Sequence, residues 1–361
     1  MTRMDAIEQI LDLARWAPSG DNTQPWKFEI VSDTHVVVHG FDTRDHVVYD
    51  LDGHPSQMAH GALLETIRIA ASQHGLGVKV TQRPDTPETH LLYDVRFEAD
   101  ASVTPDPLAA CITTRCVQRR PMSTRPLGDT EKAKLAAAAQ PCSVTWFESF
   151  GARWTIAKLN FANAHLRLTL PEAYLVHRSV IEWKARYSTD KIPEAAVGVD
   201  PLTGSMMRWV MQSWERVDLF NRYFGGTLAP RLQLDLIPGI ACAAHACLVF
   251  PRQPTSIADY VTAGRAMQRF WLTAESLGLR LQPEMTPLIF SRYHREQRVF
   301  TKMSVKQAEA GVLAQRLEAI MGRDEATKAA FLCRLGWAET AASRSLRLEL
   351  DQLKVARSEG R

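Results

Sequence analysis

A short polar string, Pro18-Ser19-Gly20-Asp21-Asn22, separates a helix-patterned segment from a strand-patterned one. It puts a hydroxyl, a carboxyl and a carboxamide on one glycine-containing loop, a mixture of donors and acceptors suited to a flat polar heterocycle. Read alone, the string is equally a well-capped turn, because Pro and Gly end helices and open loops. A second string is basic, Arg115-Cys116-Val117-Gln118-Arg119-Arg120-Pro121, and on its own reads as a solvated loop. Cys242 and Cys247 flank His245, but that spacing fits no recognised zinc motif. These thiols read as small buried hydrophobes, and no metal is expected.

The composition limits what such strings can serve. At 361 residues the chain allows one large domain or two intimately joined ones. Its 45% hydrophobic and 23% charged residues are ordinary for a globular protein in water. A net charge of +3 is too slight to point to nucleic acid or an anionic membrane. The apolar run from Leu234 to Phe250 is interrupted by Asp235, Pro238, Gly239 and His245, so it reads as buried core rather than a bilayer span. The opening residues carry no apolar signal core, and the six cysteines are scattered. Both features lead to the expectation of a cytoplasmic protein with free thiols.

The elements that must position these strings come in two sets. A helix over 5–16, with Ile7, Ile10 and Leu11 at helical spacing, precedes the polar loop, and the strand Trp26–Val31 follows it. Gly61, Ala71, Gly75 and Leu76 then recur at one constant offset as Gly264, Ala274, Gly278 and Leu279. Each set belongs to a long amphipathic helix ended by Gly and followed by a strand, at 77–81 and at 279–282. A helix over 129–139, the Pro141-Cys142 break and the strand Ser143–Phe147 echo the opening of the chain. The Pro-containing stretch Ala99–Pro107 marks the boundary between the halves. The expected domains are therefore 1–100 and 101–361.

The string Ala17–Trp26 resembles the "APSxxNxQPW" signature of the nitroreductase family of flavin enzymes. Tyr49-Asp50-Leu51-Asp52-Gly53-His54 is similar to a pattern of fused, Acg-like members, in which one polypeptide mimics the family's homodimer. The resemblance spans roughly 5–100, 108–150 and 245–350. It implies an α+β, nitroreductase-like fold of two tandem degenerate copies packed as an intramolecular pseudo-dimer, either monomeric or itself dimerised. It also implies FMN, with Pro18, Ser19 and Asn22 at the ring, Arg115 at the phosphate and Arg119 at the N1–C2=O edge. Pro283, Glu284 and Met285 fall where backbone N–H groups of the family meet flavin N5. Arg344 and Arg347, after the Arg334-Leu335-Gly336-Trp337 string, resemble a second phosphate clamp. Only the first copy keeps the Ser-x-x-Asn loop and only the second keeps the arginines. One complete site per chain is the expectation. Because the family's C-terminal arm crosses the interface, the leucines from Leu346 to Leu353 are expected to embrace the first half.

Residues 151–240 match no family element and read as a helical insertion. Helices are expected over 153–170, 179–187 and 206–220, with a loop at 198–204. Trp183, Arg186, Tyr187 and Arg208 are candidates to line a lid over the flavin. Each is as readily a core or surface residue, since large aromatics are usually mostly buried. The function so implied is FMN-dependent, ping-pong hydride transfer between NAD(P)H and a small-molecule substrate, with Glu284, Met285 and Arg119 at the reacting edge. Two alternatives stay open. One is a flavin-binding or storage protein without turnover; the other is a tailoring dehydrogenase acting on a carrier-bound or peptide substrate.

Overall fold

The computed structural model describes residues 3–355. The first half runs α1 (Arg3–Ala14), β1 (Trp26–Ser32), β2 (His35–Phe41), α2 (His54–Ser72), β3 (Leu76–Gln82) and β4 (His90–Ala99). The strands form an antiparallel sheet in the order β1-β2-β4-β3. The second half runs α3 (Asp129–Ala138), β5 (Ser143–Phe147), α4 (Phe150–Leu168), α5 (Pro171–Val180), α6 (Pro201–Val210) and α7 (Trp214–Tyr223). It continues with β6 (Ala244–Val249), α8 (Ile257–Ser276), β7 (Leu279–Pro283), α9 (Thr286–Arg295), α10 (Ser304–Met321) and β8 (Ala329–Trp337). Its sheet is also antiparallel, in the order β5-β6-β8-β7. Strand for strand the two sheets share one topology. The chain is thus an α+β fold of two degenerate copies.

The copies meet where α2 crosses α8, and two glycines make the crossing possible. A Cβ on Gly61 would lie 2.0 Å from the Val261 carbonyl oxygen, and one on Gly264 would lie 2.0 Å from that of Met58. These contacts exchange into one another under the sequence repeat, as a self-complementary two-fold interface requires. Polar pairs follow the same rule. Arg269 Nη1 donates to Glu65 Oε1 at 3.1 Å, and Gln268 Nε2 donates to Thr66 Oγ1 at 2.9 Å. Each sheet packs on its own long helix, giving one core around Phe28, Leu63 and Tyr93 and another around Phe270, Leu281 and Leu335.

The C-terminal arm reaches across to the first half. Leu348, Leu350 and Leu353 pack on its core, and Val355 N donates to Phe28 O at 2.9 Å. Arg15 Nη1 donates to Leu348 O at 2.8 Å and fixes the start of the arm against α1.

The middle segment departs from the sequence expectation in detail. Residues 179–187 do not form a helix: α5 ends at Val180, and Ile181–Glu182 pair instead with Ile192–Pro193. β-branched Val180 and Ile181 favour that extended pairing. The stretch 206–220 is divided between α6 and α7, because Ser213 caps a new helix by accepting from Arg216 N. The expected loop at 198–204 is half helix, since Asp200 accepts from Leu202 N and Thr203 N and Pro201 opens α6. No helix of the described residues is long and apolar enough to cross a membrane.

Candidate functional site

The polar loop between α1 and β1 is built around three non-glycine residues with left-handed backbones: Asp21 (φ 49°), Asn22 (φ 64°) and Gln24 (φ 47°). Such conformations cost energy and persist only where the surroundings hold them. Here Ser19 Oγ accepts from Gln24 N at 2.9 Å, Gln24 Nε2 donates to Thr189 O at 2.9 Å, and Gln24 Oε1 accepts from Leu348 N at 2.9 Å. The loop is therefore clamped between the insertion and the C-terminal arm.

The basic string lies alongside β7. Val117 bridges Leu281, and Gln118 N donates to Leu281 O at 3.1 Å. That placement brings Arg115 and Arg119 to the cavities that Pro283 and Met285 line at the end of β7. Arg344 is drawn in by donating to Thr113 O at 2.6 Å, and Arg347 by donating to Ala17 O at 3.1 Å.

Two adjoining cavities result. An arginine-lined cavity of about 300 Å³ is bordered by Pro18, Ser19, Asn22, Arg115, Arg344 and Arg347, with Trp271 of α8 among its walls. A tyrosine-lined cavity of about 350 Å³ lies beside it, bordered by Tyr49, His177 and Glu284. Gly20, Asp21, Arg119, Pro283 and Met285 border both. Every residue assigned to the cofactor from the sequence thus borders one cavity or the other.

The charge in the arginine-lined cavity is unbalanced. Arg115, Arg119, Arg344 and Arg347 bond only backbone carbonyl oxygens. Among the described residues none of the four is ion-paired. Burial lowers the Arg115 pKa to about 10, and burial with the charges of Arg115, Arg344 and Arg15 drives that of Arg347 well below its ordinary value. Arg115 also stacks over the Trp271 indole at 4.4 Å, and its Nε is buried without a partner. Burying Arg115 and Arg347 without a counter-charge, beside the partly exposed Arg119 and Arg344, is costly unless an anion joins them. A phosphate monoester supplies that charge with oxygens in the geometry a guanidinium fork prefers.

The loop offers the complementary polar edge. Asn22 Nδ2 faces the carbonyls of Thr189, Lys191 and Leu346, which fixes the amide orientation. Asn22 Oδ1 is left as a buried acceptor with no partner. The Ser19 hydroxyl, accepting from Gln24, keeps its hydrogen to donate. A heterocycle with an N–H beside carbonyl groups, such as a flavin pyrimidine, fits that set.

Glu284 does not have the place expected of it. Its N–H is already committed to Leu332 O at 2.8 Å, as part of the sheet. Its carboxylate is buried in an ionic cluster with Arg334 Nη1 at 2.8 Å and His245 Nδ1 at 2.7 Å. His245 Nε2 lies 2.7 Å from Gly239 O, so both ring nitrogens donate and the ring is an imidazolium. The Glu284 charge raises the His245 pKa to about 10 against the effect of burial, while His245 and Arg334 hold Glu284 at about 2. Met285, the next residue along, stands at the start of α9 and borders both cavities.

The lid candidates also need correction. Arg186 donates to Ala342 O and stacks on the exposed Tyr187, and Arg208 pairs with Glu194 at 3.0 Å. Neither these residues nor Trp183 border either cavity. The insertion does cover them, with Ile192, Val197, Met207, Met211 and Leu234. Trp183, Arg186 and Tyr187 lie on the irregular stretch after α5 rather than on a helix face, and on α6 Met207 lines the cavity while Arg208 is taken up by Glu194. Trp271, Tyr49 and His177 also border the cavities, although the sequence did not mark them. Tyr49 belongs to the Tyr49–His54 string, whereas Trp271 has the pattern of an ordinary core position on the amphipathic α8.

The model of the nitroreductase family matches residues 3–52, from α1 through the polar loop to the Tyr49–Asp52 motif. An "Uncharacterized protein MT1398" of Mycobacterium tuberculosis is 23% identical over 296 residues, covering 79% of this chain and 39% of that protein. A "Putative NAD(P)H nitroreductase acg" of the same organism is 29% identical over 139 residues, 37% of this chain and 41% of the relative. The chain thus spans about two fifths of the length of the curated relatives it matches. The crystal structure of a nitroreductase-like family protein from Bacillus cereus aligns over 72% of this chain and all of its own. The TM-score is 0.36 and the identity 11%. The opening segment of the chain thus matches the nitroreductase family model, and its sequence relatives include a putative nitroreductase.

Proposed function

We propose that this protein is an FMN-dependent oxidoreductase with one flavin site per chain, using NAD(P)H as donor to a small-molecule acceptor. The observation that carries the proposal is the unpaired cluster of Arg115, Arg344 and Arg347, joined through one cavity to the orphan acceptor of Asn22. In this reading the three arginines hold the phosphate, and Ser19 and Asn22 bond the polar edge of the ring. Bound FMN would supply reversible two-electron transfer, in which it takes up and passes on a hydride. Met285 offers a rigid backbone donor at the strand end, which needs no titrating side chain. Arg119 places positive charge between the two cavities, where it favours an anionic reduced ring. The insertion excludes water by folding over the cavity, and Arg119 itself donates to Ala196 O of that cover at 3.0 Å.

In the same reading, residues 1–100 and 101–361 are the two halves and 151–240 the inserted cover. The closeness of that cover favours one rival, a flavin-binding protein without turnover. A single experiment separates the two: flavin released by heat is counted per chain, and the holoprotein is then treated anaerobically with NADH or NADPH. One FMN that bleaches, and recovers with a quinone, supports the oxidoreductase. One FMN that stays oxidised supports sequestration, and no flavin after reconstitution refutes both.

A further inference from the structure

The tyrosine-lined cavity differs from its neighbour in charge. Two of its arginines are answered by carboxylates, Arg334 by Glu284 at 2.8 Å and Arg167 by Asp235 at 3.6 Å, while Arg119, shared with the neighbouring cavity, donates to Ala196 O of the insertion. Asp50 is satisfied by Thr43 and by Ser56, whose hydroxyl donates at 2.6 Å. The remaining wall is largely apolar, with Val47, Val180, Ile181, Met207, Met211 and Ile289. Apart from Arg119 at the border shared with the neighbouring cavity, a phosphate or carboxylate finds no unpaired cation there. A neutral molecule with an apolar body is what such a wall accepts.

Set into that wall is one neutral donor pair. Tyr49 Oη lies 2.9 Å from His177 Nε2, and both residues border the cavity. Tyr49 comes from the first half, on a loop held by Asp50 and by Leu51 N, which donates to Tyr293 Oη at 2.9 Å. His177 comes from α5 of the insertion. The Tyr49 ring is lodged between His177 and the edge of Phe290, with centroids 5.9 and 6.1 Å away. Burial lowers the His177 pKa to about 3 and raises that of the Tyr49 phenol, so both are uncharged. Two neutral groups joined by one hydrogen bond retain a further hydrogen to offer elsewhere. A quinone or nitro group takes up electrons readily without such help, whereas an unsaturated carbonyl accepts a hydride poorly unless its oxygen is protonated or hydrogen-bonded.

We propose that this cavity binds a neutral, mainly apolar α,β-unsaturated carbonyl compound and that Tyr49, positioned by His177, gives the carbonyl oxygen its proton. The proposal rests on the flavin reading above. In the step it assigns, a C–H bond forms at the β carbon with a hydride from the reduced flavin, itself reduced by a dihydronicotinamide. The alkene electron pair moves toward the carbonyl oxygen as the Tyr49 O–H bond breaks and its proton passes to that oxygen. The phenoxide is held by the Nε2–H of His177 and the Arg167 charge, and takes a proton from water once the enol leaves and becomes the saturated carbonyl.

The test uses flavin-loaded protein reduced anaerobically with dithionite, then mixed with trans-cinnamaldehyde or with ferricyanide, which needs no proton. Tyr49→Phe should slow reoxidation by cinnamaldehyde by about a hundredfold or more, with ferricyanide reoxidation changed by less than about twofold. A solvent deuterium effect on the cinnamaldehyde step should vanish in the same variant. His177→Gln, which can still donate to the phenol, should keep most of the rate, and His177→Leu should behave like Tyr49→Phe. Equal rates in wild type and Tyr49→Phe overturn the proposal, as does a wild type reoxidised by ferricyanide but not by cinnamaldehyde. Failure of the wild type to hold flavin overturns the underlying reading instead. The donor assignment still has its own measurement, calorimetry with the unreactive 3-phenylpropanal. Tyr49→Phe should weaken that binding by about two- to tenfold and leave propylbenzene unaffected; equal binding of the aldehyde overturns the assignment.

Discussion

The two copies enter their sheets differently, and the difference decides where a site can exist. In the first, residues 15–25 make a wide polar detour from α1 to β1, with Asp21, Asn22 and Gln24 held in left-handed conformations. In the second, α3 reaches β5 through residues 139–142 alone, past buried Cys142. The flanks of the α2–α8 crossing diverge in the same way. On one side Trp271 carries the unpaired Arg115. At the repeat position on the other side stands Arg68, bound to Glu65 at 2.6 Å and near Asp106 at 3.6 Å. Asp106 also takes Arg269 at 2.9 Å, so a carboxylate of the chain itself sits among those arginines. Packing at the crossing constrains both copies equally, because each glycine faces a carbonyl of the other helix. A ligand site makes no such mutual demand.

The largest effect should come from removing a cation on one flank only. Arg115→Ala should lower flavin retention from near one per chain to below about a tenth, since a charge-assisted contact is worth roughly 1.5–3 kcal/mol. Arg68→Ala, on the mirrored flank, should leave flavin content unchanged. Retention of half the flavin in Arg115→Ala would break the contrast by revealing a second site. Gly61→Ala and Gly264→Ala should each destabilise the chain by about 1–3 kcal/mol, to a similar extent, in urea unfolding. A large disparity between them would show that the crossing is less symmetric than its backbone contacts.

A pH dependence should belong to the second copy. His245 has a pKa raised from 6.5 to about 10, so its contribution is fully present below pH 6.5 and lost as the pH rises toward about 10. Glu284, lowered from 4.5 to about 2, contributes above pH 4.5 and loses that contribution as the pH falls toward about 2. Melting temperatures across both windows should fall at each end, and His245→Gln should remove the alkaline limb. The smallest effect is expected at the rim of the insertion. Arg208→Ala breaks a partly exposed pair with Glu194 and should cost no more than about 1 kcal/mol, with flavin content unchanged.

Much of the scaffold was legible because it obeys local rules. The helix periods, the Gly stops after α2 and α8, and the strands they feed follow from pattern and backbone freedom. The leucines of the tail were legible as an arm through the family resemblance, which implies one that crosses the interface. The insertion was less so: its helices were displaced by capping at Asp200 and Ser213, and its inward face was set by packing that no single residue announces. Trp183, Arg186, Tyr187 and Arg208 are the residue types a pocket favours, yet none of them borders either cavity.

By itself, the sequence determined the two repeated helix–strand units, the polar loop of the first copy and the arginine string of the second. These are properties of short segments, carried by composition and spacing. The tertiary structure alone decided that loop, arginines and C-terminal arm converge on one cavity from positions as distant as Ser19 and Arg347. It also decided that the Glu284 carboxylate is spent on His245 and Arg334, and that Tyr49 meets His177. Such pairings depend on how two copies and an insertion pack in three dimensions, where burial and charge act across distances the sequence does not encode locally.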